Sequence, residues 1–249
     1  MFRQHAVIIV RAALFLTCGA VAHANSLGYV TTLQQDFDNI SGLTSQGWTI
    51  TNNSVPPSAS SWFQGNTGVF TSQTGSASSY IGANYLNTTP GGNISDWLIL
   101  PALFLRNGDI LTFYTRTEAN STYADNLEVR VSSNGTSANV GSTSSSVGDF
   151  TNLLMTINPA LIAAAYPDSW TQETVTVSGL GDTPVDARLA FRYAVTDTMT
   201  HGDYIGIDSL TVSVQDAAAP EPSTIALLLI GLGSLGRWGR RFRLPRDRS

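Results

Sequence analysis

The chain has 249 residues, with thirteen arginines, no lysine, eighteen acidic residues and three histidines, for a formal net charge of −5. The cations are crowded at the two ends: residues 25–219 hold only Arg106, Arg116, Arg130, Arg188 and Arg192 against sixteen Asp and Glu, a net of −11. A domain this acidic is a poor candidate for nucleic acid or anionic lipid, because both are bound through clustered cations on phosphates. Calcium and neutral glycans suit it better, with the plainer alternative that acidity only keeps an exported protein soluble and apart.

In chain order, the first element is an export signal over residues 1–24. Arg3 and Arg11 accompany an apolar stretch that continues through Ala12-Ala13-Leu14-Phe15-Leu16, and Ala22-His23-Ala24 has the small-x-small spacing cut by signal peptidase. The mature chain is expected to begin near Asn25. Cys18, the only cysteine, lies in the removed segment, so the exported protein has no disulfide, thiol nucleophile or thiolate metal site. A lipoprotein would carry a cysteine just after the cleavage site, and none is there.

Residues 25–219 are long enough for one domain with its own core. Leu111-Thr112-Phe113-Tyr114-Thr115, Leu127-Glu128-Val129-Arg130-Val131, Thr174-Val175-Thr176-Val177 and Leu189-Ala190-Phe191-Arg192-Tyr193 are rich in β-branched or aromatic residues and alternate with period two. Glu128, Arg130 and Arg192 fall between apolar neighbours, so one strand face is buried and the other wet, the pattern of a β-sandwich. Turn chemistry marks Thr89-Pro90-Gly91-Gly92-Asn93 and Ser133-Asn134-Gly135-Thr136, the latter opening a Ser/Gly/Thr-rich loop to Gly148. Pro159 to Ala165 suits a short helix or turn. No repeat at solenoid or propeller spacing occurs. In the final strand Ile205 and Ile207 fall on one parity and Leu210, Val212 and Val214 on the other, which requires a bulge or a break at Asp208-Ser209.

Residues 220–249 form a third unit. Pro220-Glu221-Pro222-Ser223-Thr224 stops any preceding strand. An apolar run from Ile225 to Gly236 follows, then Arg237, Arg240, Arg241, Arg243, Arg246 and Arg248. The run is short of the about 20 apolar residues of a full span, and Gly231, Gly233 and Gly236 make it a poor permanent helix. The arginines would hold its far end in the cytoplasm by the positive-inside rule. The arrangement resembles the PEP-CTERM tail of Gram-negative bacteria that produce exopolysaccharide. That resemblance implies recognition by the membrane enzyme exosortase through Pro220, Glu221, Pro222 and Ser223, cleavage near that triplet, and only transient association with the inner membrane. A plain membrane anchor is the alternative.

The mature domain also resembles the choice-of-anchor J domains, related to the cleaved adhesin domains of bacterial surface proteins. The likeness is carried, in order, by Asp36-Phe37-Asp38, Gly47-Trp48-Thr49, Trp62, Asp96-Trp97-Leu98-Ile99 with Pro101, Leu111-Thr112-Phe113, Asn126 to Ser132, and Ile205-Gly206-Ile207-Asp208-Ser209-Leu210. It implies an all-β, jelly-roll type sandwich forming a single domain, often with bound calcium. Family likeness also links such proteins to surface adhesion, exopolysaccharide, biofilm and floc formation.

Two candidate sites follow. Strand period would put Asp36 and Asp38 on one face with Phe37 in the core, and side-by-side first and last strands would bring Asp38 near Asp208. These three carboxylates, with Asp96 as a weaker fourth, are candidates for a structural calcium, which takes six to eight oxygen ligands; solvated edge protection is the bland reading. Among the aromatics, Trp48 and Trp97 sit in apolar runs and are expected in the core. Trp62, among polar residues, and Tyr123, in a polar loop, are the candidates for a glycan-stacking surface. Catalysis is not expected: His201 is the sole histidine after processing and no Gly-x-Ser-x-Gly elbow is present, and a carboxylate pair of the glycosidase kind, making a secreted hydrolase, is the alternative but is marked by no spacing.

Overall fold

A strand that buries every second side chain needs a second layer to cover that face, and the computed structural model, which describes residues 28–216, supplies it as a second sheet. The export signal with Ala22 and Ala24, and the tail with Pro220, Glu221, Pro222 and Ser223, lie outside the described residues. The strands in chain order are β1 (Tyr29–Gln35), β2 (Thr49–Asn52), β3 (Val55–Pro57), β4 (Phe63–Gln64), β5 (Ile81–Asn84), β6 (Thr88–Ile99), β7 (Leu103–Leu105), β8 (Ile110–Thr117), β9 (Leu127–Ser132), β10 (Asn152–Ile157), β11 (Thr171–Thr176), β12 (Val185–Val195) and β13 (Tyr204–Gln215). Three single-turn 3-10 helices, Ile40–Gly42, Thr44–Gln46 and Tyr85–Asn87, are the helical elements among the described residues.

One sheet runs β11-β8-β13-β5-β4, with β1 on β13; the other runs β10-β9-β12-β6-β2, with β3 on β6 and β7 on β12. Every pairing is antiparallel. The four strands expected from alternation fall in β8, β9, β11 and β12. Leu111 and Phe113 of β8 meet Leu189, Phe191 and Tyr193 of β12 in the main core between the sheets, where the Phe113 and Phe191 rings meet edge to face at 4.8 Å. The jelly-roll type sandwich expected from the sequence is therefore present as two antiparallel sheets.

Each sheet also carries a smaller core on its outer face. Trp97, Ile99 and Ala190 on the outer face of the β6-β12 sheet are covered by Val140 and Phe150 from the loop over residues 133–151. Phe70, Tyr80 and Tyr204 form the counterpart on the other sheet, with Trp170 at its margin. Trp97 is thus buried as expected, but under a loop and not between the sheets.

Three local expectations meet the structure differently. The parity change in β13 is a bulge: its register on β8 shifts between Asp208 and Thr211, and Ser209 has φ 49°. Residues Thr89 to Asn93, read as a turn, lie within β6; Val55 pairs with Asn93 but Pro57 with Thr88, so the Pro-Gly-Gly cluster makes an outward bulge in a strand that continues. The segment from Pro159 to Ala165 makes turns and no helix. Asn158, Leu161 and Ala164 have positive φ, and the Asn158 side chain bonds both the N–H and the C=O of Ile162.

Strand β1 pairs along the C-terminal half of β13, Tyr29 opposite Gln215, and Asp216 N–H donates to Gly28 O at 2.7 Å. Both ends of the described domain therefore emerge together. The opposite end of β13, at Tyr204, lies about 36 Å away at the rise of a strand.

Candidate functional site

At the Tyr204 end, the 3-10 helix Tyr85–Asn87, the loop over residues 118–126 and the loop over residues 196–203 enclose a cleft of about 300 Å³ lined by Tyr85, Tyr123, Thr198, Met199, Gly202 and Asp203. Tyr85 is 46% exposed, Tyr123 48% and Met199 71%, a concentration of large side chains in water that packing does not require. Local bonds fix each wall. Asn84 Oδ1 accepts from Leu86 N–H at 3.0 Å and caps the helix, and Tyr85 N–H donates to Asp203 O at 2.9 Å. Tyr123 N–H donates to Ser121 Oγ, and Gly202 N–H donates to Ala124 O at 2.9 Å, tying one loop to the other. Gly202 has φ +84°, and a Cβ there would meet Val195 Cγ1 at 3.3 Å, so the turn that presents Met199 and Asp203 requires glycine.

Beneath this cleft lies Asp125, completely buried. Its Oδ1 accepts from Tyr193 O–H at 2.5 Å and Asp203 N–H at 2.8 Å, and its Oδ2 faces Thr117 Oγ1 at 2.6 Å. Burial pushes its carboxyl up to about 6 against these hydrogen bonds. His201 braces the 196–203 loop: its Nδ1 lies 3.0 Å from both Thr200 Oγ1 and Thr196 O.

A larger groove of about 500 Å³ opens on the outer face of the β6-β12 sheet, with Asn126, Glu128, Leu153, Thr156, Leu161 and Arg192 among its lining. Its base is a closed ionic network. Glu128 Oε2 pairs with Arg130 Nε at 2.7 Å and Arg192 Nη1 at 3.0 Å, and Arg192 also donates to Ser95 Oγ and to Ser144 O while stacking over Trp97. Burial raises the Glu128 carboxyl, but the two guanidiniums outweigh it and hold it below its ordinary value. The charged groups that would recognise a ligand here already recognise one another, and its rim carries no exposed aromatic.

The residues singled out from the sequence divide. Tyr123 lies at the end cleft. Trp62 does not reach any surface: it is 5% exposed and joins the main core. Its polar neighbours misled because they are satisfied internally, Ser61 Oγ on Asp96 Oδ1, Ser60 Oγ on Asn87 Oδ1 and Gln64 Nε2 on Phe37 O and Ser78 O. Asp125 was missed, and Tyr85, counted among the aromatics that could include a sugar platform, was passed over for Trp62 and Tyr123; it carries only the faint signal of an aromatic beside a capping asparagine.

Phe37 enters the core as expected, but β1 ends at Gln35 and Phe37 has φ 51°, so Asp36 and Asp38 flank a turn and not a strand. Asp36 is close enough for its charge to raise Asp208, and Asp38 Oδ1 lies beside Gly75, where a Cβ would stand 3.2 Å from it. Asp208 Oδ2 accepts from Gln73 N–H at 2.8 Å and Thr74 N–H at 3.2 Å, and Oδ1 from Ser209 N–H at 2.6 Å. Burial pushes this carboxyl up to about 6. These donors point backbone N–H groups, not oxygens, at the carboxylate. Among the described residues no three His, Cys, Asp or Glu side chains are grouped to hold a metal ion. Asp96 is no better suited, since burial raises it to about 8 and Ser61 and Asn87 donate to it. The residues present do not fit a calcium cage. Accordingly, millimolar calcium added after EDTA treatment is expected to leave Tm unchanged; a rise of several degrees in a melting titration would mean that these carboxylates close around the ion.

The PEP-CTERM protein-sorting motif matches residues 218–243, and no curated protein matches the chain. The K1 cleaved adhesin domain of Lys-gingipain from Porphyromonas gingivalis superposes with a TM-score of 0.52 at 23% identity, covering 75% of this chain and 99% of that domain. The K3 cleaved adhesin domain of the same protein gives 0.52 at 20% identity, with the same coverage. A xylan-binding domain of Paenibacillus barcinonensis Xyn10C gives 0.42 at 15% identity, over 77% of this chain and 99% of that one. The chain thus carries a PEP-CTERM sorting motif, which implies export to the cell envelope and processing by exosortase, and its sandwich is similar in fold to the cleaved adhesin domains of Lys-gingipain.

Proposed function

We propose that the protein is an exported, non-catalytic component of the surface polysaccharide matrix, released from the inner membrane by exosortase, and that it holds neutral glycan at the end cleft. The observation that carries the glycan reading is the pair of half-exposed tyrosines, Tyr85 and Tyr123, in one cleft with Asp203 and Thr198. A tyrosine ring presents an apolar face to the C–H face of a pyranose and a hydroxyl to its rim. A carboxylate and a threonine hydroxyl supply the few polar groups that fix orientation in such sites. The net charge of −11 over residues 25–219 favours a neutral polymer over an anionic one. His201 is engaged in holding its own loop, which supports the non-catalytic reading.

Fractionation of the native host tests this. In wild-type cells the protein is expected with the exopolysaccharide, with an intact mass ending near Pro220; in cells lacking exosortase it should keep the arginine tail and stay with the inner membrane. The Tyr85→Ala/Tyr123→Ala variant should be processed normally yet wash out of the polysaccharide. Full retention of that variant would remove the cleft from the reading, and an unprocessed tail in both strains would make it a plain membrane anchor.

A further inference from the structure

Thr117 Oγ1 stands between two acceptors, Asp125 Oδ2 at 2.6 Å and Tyr204 O at 2.9 Å. A hydroxyl has one proton to give. If Asp125 is ionised, one of those contacts sets an oxygen lone pair against another in a buried site, which is costly. If Oδ2 carries a proton, the acid donates to Thr117 Oγ1, Thr117 donates to Tyr204 O, and Oδ1 remains free to accept from Tyr193 O–H and Asp203 N–H. The neutral acid satisfies all of these groups at once. The groups facing Asp125 are Thr117 from β8, Tyr193 from β12, Asp203 from the 196–203 loop and Tyr166 from the segment after β10. The charge acting on it is that of Asp203, which opposes ionisation, and no cation offsets it among the described residues.

We propose that Asp125 is a positioning residue of the end cleft, clamping the 196–203 loop to the strands beneath it in its protonated form and loosening that wall when the proton leaves. Resting on the reading of the cleft as the glycan site, this makes binding stronger in mildly acid surroundings than in neutral ones. The direction follows from burial, which raises the carboxyl to about 6. With its folded value above the ordinary one, the contribution is complete below about pH 4 and lost as pH rises through about 6. The wall is where the effect is felt, because Asp203 both lines the cleft and donates its backbone N–H to Asp125.

The test uses processed protein purified from its host, with Asp125→Asn as the conservative variant. An asparagine amide at Oδ2 donates to Thr117 permanently and has no proton to lose in this range. Amide hydrogen-exchange protection at Gly202 and Asp203 is measured at pH 5 and pH 7.5, with Phe191 in the core of β12 as the reference for global opening. Wild type is expected to lose protection at both loop amides by about tenfold relative to Phe191, a coupling of ordinary size, while Asp125→Asn stays protected at both pH values. Affinity for the host exopolysaccharide should fall in parallel in wild type and stay level in the variant. Unchanged loop protection in wild type, or an equal loss in Asp125→Asn, overturns the proposal. If the variant fails to fold, the wild-type profile alone decides. Loop protection that follows pH without any exopolysaccharide binding upholds the clamp and sinks the glycan reading; binding that ignores pH sinks the clamp and leaves the glycan reading standing.

Discussion

Asp96→Asn is expected to flatten the pH dependence of stability and to leave the variant well above wild type in alkali. Asp96 shares the parity of Leu98 on β6 and points inward, where Ser61 Oγ at 2.8 Å and Asn87 Nδ2 at 2.5 Å are its side-chain partners. Burial pushes its carboxyl up to about 8. The folded protein therefore binds this proton more tightly than the unfolded chain does. The resulting stability is complete below about pH 4 and disappears as pH rises through about 8. At 1.36 kcal/mol per unit, a shift of this size removes on the order of 5 kcal/mol between pH 4 and pH 9. Asparagine keeps the acceptor for Asn87 and places an amide where the acid would donate to Ser61, so it mimics the neutral form. Urea melts at pH 4 should nearly coincide for the two proteins, and those at pH 9 should separate by several kcal/mol in favour of the variant. Parallel loss of stability in both would show that Asp96 is not the titrating group.

Arg192→Ala should cost about 3 kcal/mol, toward the lower end for breaking a buried pair, because Arg130 keeps its own bond to Glu128. More than charge is lost. The guanidinium bonds Ser95 Oγ, Glu128 and Ser144 O from three positions and covers the Trp97 face. Ser144 belongs to the long loop that, through Val140 and Phe150, roofs Trp97, so the substitution releases that roof as well as a strand contact. Arg192→Lys should recover little, since an ammonium cannot reproduce the planar fork. Equilibrium melts followed through tryptophan fluorescence give the comparison. A loss under 1 kcal/mol for Arg192→Ala would mean that the network is only a surface decoration.

The sheets were legible because period-two alternation depends only on neighbours in sequence. The β13 irregularity was legible for the same reason: a parity change between Ile207 and Leu210 demands a bulge or a break, and the register on β8 shows the bulge. The Thr89 to Asn93 bulge was not, since a Pro-Gly-Gly cluster has the same composition in a turn and in a strand that bows outward over β3. Trp62 was misplaced by treating polar neighbours as solvent, when Ser60, Ser61 and Gln64 find partners in distant segments. The end cleft depends on loops far apart in the chain, so Tyr85 and Tyr123 carried no mutual signal. Asp125 looked like any loop aspartate. Its hydrogen-bond partners include Tyr193, 68 residues away, and Asp203, 78 away. The 133–151 loop did hold a readable clue in Val140, Val147 and Phe150, apolar residues without purpose in a solvated loop.

The emergence of both ends of the described domain together, at Gly28 and Asp216, with the cleft at the far end of β13, has a mechanical consequence. A pull applied between Gln215 and the cleft end at Tyr204 runs lengthwise along β13. That strand is hydrogen-bonded to β8 on one edge and to β5 and β1 on the other. Antiparallel ladder bonds lie perpendicular to their strands, so this load shears many of them at once and cannot unzip them one by one. Tension between Gln215 and the cleft would therefore be borne in shear.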